Sequence, residues 1–145
     1  MSNTAIRNIL RISRCKVIYN DRKIQIADLN EAQHLYIVYA CNHPGDTQDH
    51  YVKDLCLDKT TVAHTLHYLE KEGYIVRRAS ETDKRCKCVY PTDKAKEVFP
   101  IIRASHDQFS KEVMEGLSKE ERQELERLTK IVCRNAKDLL ERSEG

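Results

Sequence analysis

Two short stretches of this sequence carry side chains suited to reading a nucleic acid. In the first, Val62, Leu66 and Leu69 recur at helical spacing and form a stripe that must face a core. Lys59, Thr60, Thr61, Ala63, His64 and Thr65 are the DNA-facing candidates of that helix, with Lys53 just before it as a phosphate contact. A threonine hydroxyl can bond a base edge while its methyl touches thymine, and a neutral imidazole can donate or accept. A plainer role stands beside this one for Thr61, which is also placed to satisfy the start of its own helix. In the second stretch Arg77, Arg78, Lys84, Arg85 and Lys87 crowd a turn, with Asp83 two positions before Arg85. Asp83 can fix the Arg85 guanidinium, and a fixed arginine suits a narrow minor groove, where the negative potential is deepest. The plainer reading is a solvated, charged turn.

Other chemistries are weaker. Cys15 lies between Arg14 and Lys16, and Cys133 precedes Arg134; neighbouring cations favour thiolate, so these two are the redox candidates. Cys86-x-Cys88 and the Cys41/His43 pair suggest a metal by residue type only, and His64 and His67 are three apart with no flanking Glu on the same face. There is no phosphate loop, nucleophile elbow or HExxH. Neither an enzyme nor a metal or cofactor is expected.

The chain has 145 residues, enough for one domain or a small reading domain with helical attachments. With 33% charged and 40% apolar residues it has a globular balance, and four Gly and three Pro favour helices over a loop-rich sandwich. The six cysteines include no CxxC, and without a secretory signal they read as reduced. No apolar run approaches the ~20 residues needed to cross a bilayer, so a cytoplasmic protein with no membrane partner is expected. The net charge is only +2, but residues 1–30 carry +4 and 53–96 carry +3, while 31–52 and 97–145 are acidic. The basic excess falls where the candidate readers lie.

The elements that must position those readers follow from periodicity and caps. An amphipathic helix over 4–20 carries Ile6, Ile9, Leu10 and Val17 on one stripe. Asn30 with Gln33 opens a second helix as a capping box, Thr47 a short third, and Asp58 with Thr61 the fourth, which Gly73 ends. Tyr74–Arg78 and Cys86–Tyr90 read as a hairpin. A long helix follows Pro91-Thr92-Asp93, and Ser118 with Glu121 boxes the last. The fold class is mainly α with a small β-wing: a winged helix-turn-helix over 29–94, with 1–28 and 95–145 as a helical dimerisation arm.

Three signatures resemble the MarR family of winged-helix transcriptional regulators. They are Leu29-Asn30-Glu31-Ala32-Gln33; Leu57 to Val62 with Leu66, Leu69, Glu70, Gly73 and Tyr74-Ile75; and Asp83-Lys84-Arg85 with Val89, Thr92, Asp93 and Lys94. His64 stands where the family often has Arg, Cys56 where its turn usually has Gly, and Pro91 where Leu is common. The resemblance implies a homodimeric repressor that places one helix in the major groove and the wing in the minor groove of a double-stranded, pseudo-palindromic operator. It also implies modulation by a small aromatic or anionic ligand, or by thiol oxidation. The usual ligand crevice would be lined here by Arg14, His34, Tyr36 and Tyr39. The competing reading is a winged-helix protein-interaction module without sequence-specific DNA binding.

Overall fold

The computed structural model describes residues 3–144, so the outermost positions of the expected arm segments, 1–2 and 145, lie outside it. Eight elements follow in chain order: α1 (Thr4–Lys23), α2 (Glu31–Asn42), α3 (Gln48–Leu55), α4 (Lys59–Lys71), β1 (Ile75–Ala79), β2 (Lys87–Pro91), α5 (Asp93–Val113) and α6 (Lys119–Ser143). The fold is mainly helical with one small antiparallel sheet, as expected.

Local chemistry sets most boundaries. Asn30 Oδ1 accepts from Gln33 N at 3.1 Å while Gln33 Oε1 accepts from Asn30 N at 2.9 Å, closing the capping box of α2. Ser118 and Glu121 do the same for α6. Thr47 occupies the cap position of α3, but its side chain makes no cap bond; its Oγ1 lies 3.4 Å from His50 Nδ1 instead. Gly73 exits α4 at φ +82°, a conformation that costs glycine little. The hairpin strands each sit one residue later than the periodicity indicates, pairing Ile75 with Pro91 and Ala79 with Lys87. The α2–α3 loop adds a third rung through Gly45 N to Val89 O, Val89 N to Asp46 O and a Thr47–Cys88 bridge.

Contacts divide the chain into two compact units, with the break inside α5 between Phe109 and Ser110. The first unit owns the core: Tyr36, Ile37, Ala40, Tyr51, Val62, Leu66, Leu69, Ile75 and Val89 are buried together, and Ile24, Ala95 and Ile102 join them from the flanking segments. The stripe of α5, assigned from the sequence to the dimerisation arm, is therefore largely covered within the chain through Ala95, Ile102 and Phe109. The second unit, which contains the end of α5 and all of α6, buries none of the α6 residues.

Candidate nucleic-acid interface

The helix-turn-helix is α3, a tight turn and α4. Cys56 makes that turn in the left-handed conformation (φ 55°, ψ 46°), which explains why its position favours glycine. Asp58 then caps α4, accepting from Thr61 N at 3.1 Å and from Thr61 Oγ1 at 2.5 Å. These bonds hold its carboxyl below the usual range, so the first turn presents an ionised cap. Val62, Leu66 and Leu69 are fully buried, which fixes the opposite face outward.

That outer face carries Lys59, Thr60, Thr61 and His64, all exposed, with exposed Lys53 on α3 preceding them. At 13 residues α4 is about 20 Å long, a rod that fits the major groove of B-DNA. Thr61 fills the plainer of the two roles considered for it, donating its hydroxyl proton to the Asp58 cap, and the residue remains exposed. Ala63 is half-buried. Thr65 is half-buried too and faces Tyr36, so of the α4 candidates it turns furthest toward the core.

On the wing, Asp83 Oδ1 accepts from Arg85 N at 3.0 Å and lies 3.4 Å from Arg85 Nε, while 93% of the arginine side chain stays exposed. The guanidinium is thus tethered at its root and free at its tip. Lys84 and Lys87 are exposed beside it. The other two wing arginines are occupied: Arg77 forks onto Glu70 at 3.0 and 3.2 Å, and Arg78 lies over the Tyr90 ring at 5.6 Å. Arg85 and Lys87 line a shallow concavity of about 300 Å³ with Thr47, Gln48 and Asp49, so the wing adjoins the start of α3.

Two polar hubs hold these pieces in register, and neither is signalled by local spacing. Asp28, in the α1–α2 loop, receives the Tyr74 hydroxyl at 2.5 Å and Lys94 Nζ at 3.0 Å on its carboxylate, and the Tyr68 hydroxyl at 2.6 Å on its carbonyl. The Tyr74 hydroxyl is the largest of the causes that keep the Asp28 carboxyl below its ordinary range. Lys94 also reaches Glu72 O at 2.7 Å, so the exit of α4 and the start of α5 share one clamp. At the second hub the Tyr39 hydroxyl lies 2.7 Å from Asp46 and 2.8 Å from Asp54, joining α2, the loop and α3.

The ligand candidates are not gathered into an open crevice. Arg14 is exposed on α1, whereas His34, Tyr36 and Tyr39 are buried. Tyr36 and Tyr39 both pack on Tyr51, at 6.1 and 4.4 Å between ring centroids, and the Tyr39 hydroxyl is already engaged by two carboxylates. Helical spacing put aromatics here, but core packing uses them. Cys15 and Cys133 are exposed free thiols. Asp83 raises the pKa of Cys86 and burial raises that of Cys41, so both are held as thiols. Among the described residues no His, Cys, Asp and Glu side chains cluster as a metal site.

The MarR family model matches residues 29–87, which run from the cap of α2 into β2. Over 133 residues the chain is 29% identical to YybA of Bacillus subtilis, described as an uncharacterized HTH-type transcriptional regulator, covering 92% of this chain and 89% of that protein. The solved structure of the transcriptional regulator SlyA superposes with a TM-score of 0.88 at 29% identity, covering 96% of this chain and 98% of SlyA. A Listeria monocytogenes protein described as a MarR family transcriptional regulator, solved with a 26-mer DNA, gives a TM-score of 0.88 at 26% identity, covering 95% of this chain and 91% of that one. The family model spans only residues 29–87, but these likenesses reach through at least 92% of this chain, flanking helices included. The chain is therefore similar to the MarR family over its winged helix and to transcriptional regulators of that kind over nearly all of its length.

Proposed function

We propose that this regulator is a homodimeric, cytoplasmic repressor that binds a pseudo-palindromic double-stranded operator. In this reading 29–94 is the DNA-reading domain, and 1–28 with 95–145 supplies the dimerisation arm. The observation that carries it is the pairing of an exposed Lys59-Thr60-Thr61-His64 face on a core-anchored α4 with a wing whose Arg85 is tethered but solvent-facing. Each protomer sets α4 in the major groove, where Thr60, Thr61 and His64 reach base edges, and Arg85 in the adjoining minor groove. Lys53, Lys59, Lys84 and Lys87 contact phosphates and position the helix. Asp83 orients Arg85, and Ala63 and Thr65 flank the base-reading residues. Two copies read half-sites about 10 base pairs apart, centre to centre.

The apolar faces of α1 and α6 support the dimer. Ile6, Ile9, Leu10 and Val17 on α1, and Leu125, Leu128 and Val132 on α6, are each 39–48% exposed, an arrangement that a second copy would cover. Operator affinity responds to a small aromatic or anionic ligand or to oxidation of the exposed Cys15 or Cys133. Treatment with diamide followed by a DNA-shift assay and mass spectrometry tests the thiol arm. No helix among the described residues is long and apolar enough to cross a membrane, which fits this setting.

The decisive experiment measures duplex binding against salt for the wild type and Arg85→Ala. The variant should bind at least tenfold more weakly, with the slope of log affinity against log salt reduced by about one contact's worth, near 0.9. An unchanged slope and affinity would remove the wing from the interface. No salt-sensitive duplex binding by the wild type would favour a protein-docking role instead.

A further inference from the structure

Where α1, α2 and α5 meet, the first unit buries polar side chains with unpartnered atoms. His34 on α2 is fully buried, and neither of its ring nitrogens has a hydrogen-bond partner. His106 on α5 turns its ring edge toward it, with centroids 6.0 Å apart, and its buried Nε2 is also unpartnered. Asn20 on α1 accepts from Ser105 Oγ at 2.8 Å, but its Nδ2 finds nothing. Folded proteins leave few buried polar groups unpaired, and each one that persists is costly and calls for an explanation.

The charged groups around the pair are Lys16 and Asp21 of α1, Glu31 of α2 and Asp107 of α5. Lys16 and Glu31 already satisfy each other at 3.1 Å, and Asp21 accepts from Glu31 N at 2.9 Å. Burial is the largest influence on both imidazoles. It pushes His106 down to about 4 and lowers His34 as well, with Lys16 acting in the same direction and Glu31 opposing.

We propose that His34 and His106 form a proton-operated latch between α2 and α5: neutral, it packs the two helices together; protonated, it releases α5 and the operator with it. The inference rests on the operator-binding reading above. Its route to the DNA surface is short, because α5 begins two residues after β2 ends and its Lys94 holds both Asp28 and the Glu72 carbonyl at the exit of α4. A displaced α5 therefore disturbs the wing and the reading helix together.

The direction follows from linkage. Both imidazoles titrate lower when packed than when exposed, so the packed state has their full support above the ordinary histidine value of 6.5. As the pH falls from 6.5 toward the packed value, each histidine shifts the balance toward the open state by about tenfold per pH unit.

The test uses the full-length protein and a duplex selected by it from a random pool at pH 7.5. Affinity is measured at pH 7.5, 6.5 and 5.5 at constant ionic strength, for the wild type and for His34→Gln/His106→Gln. The wild type should lose at least tenfold in affinity by pH 5.5, and the double variant should stay within about threefold of its value at pH 7.5. An equal loss in both proteins, or tighter wild-type binding in acid, overturns the latch. Imidazole C–H resonances of the wild type decide the matter if the variant fails to fold. Two of the six histidines should titrate well below the others, together with a change in the α5 amides; six similar titrations overturn the latch. If the wild type binds no duplex at pH 7.5 in low salt, the operator reading fails, and the resonances still judge the latch separately.

Discussion

The winged helix and α6 are built from the same aliphatic residues and use them oppositely. In α4, Val62, Leu66 and Leu69 are fully buried, whereas in α6 Leu125, Leu128, Ile131, Val132, Leu139 and Leu140 are 41–62% exposed. Both helices are amphipathic and both have a well-formed N-cap, so helix-forming tendency does not separate them. The difference lies in what surrounds them. Around α4 the chain supplies α2, α3 and a hairpin, enough to close a core; along α6 it leaves an apolar stripe uncovered. Helices in proteins draw most of their stability from packing an amphipathic face, so the open stripe of α6 calls for a second surface. The winged helix thus closes a core of its own, whereas α6 leaves its stripe open, the contrast expected if the proposed arm depends on association.

The strongest way to break this contrast is to cut each region once. Leu66→Ala should cost about 2–5 kcal/mol of stability, independent of protein concentration, because it opens a cavity in a closed core. Leu128→Asp should leave the far-ultraviolet circular dichroism of the reading domain intact and raise the concentration at which the dimer dissociates at least tenfold, as read by sedimentation. If both variants unfold alike at every concentration, the division into a self-sufficient head and a dependent arm is wrong.

A smaller effect sharpens the view that the head is tied together by polar hubs as well as by its core. Asp28→Ala strands the Tyr74 hydroxyl and Lys94, and should cost about 1–3 kcal/mol in thermal or urea unfolding. The Asp28 carboxyl is held below its ordinary value of 3.8 in the folded protein. Its contribution is therefore complete above that value and is lost as the pH falls through the lower folded one, so the variant's deficit should shrink in strong acid. The smallest effect is a gain. Cys56→Gly relieves a left-handed non-glycine residue and should add up to about 1 kcal/mol of stability, less the entropy glycine loses on folding. A loss of stability would mean that the Cys56 side chain is worth more than the backbone conformation costs.

The parts of this molecule legible in the sequence are those governed by neighbours three or four positions apart. The Asn30, Asp58 and Ser118 caps, the Gly73 exit, the α4 stripe and the Asp83–Arg85 tether were all readable, and the hairpin was displaced by a single residue. The aromatic residues His34, Tyr36 and Tyr39 were harder. Periodicity marks a side chain as inward, but it cannot separate a crevice wall from a packed core. Arg77 likewise counted as a wing cation until Glu70 claimed it.

Sequence alone determined the element order, the outward face of α4 and the basic wing, because hydrophobic period and helix-end hydrogen bonding are local and act wherever the chain goes. Only the tertiary structure decided that Asp28 clamps Tyr68, Tyr74 and Lys94, that Tyr39 joins two carboxylates, and that His34 meets His106 without partners. The Asp28 contacts link residues 40 to 66 positions apart. A pairing at that range is fixed by how whole elements pack, and no spacing rule along the chain encodes it.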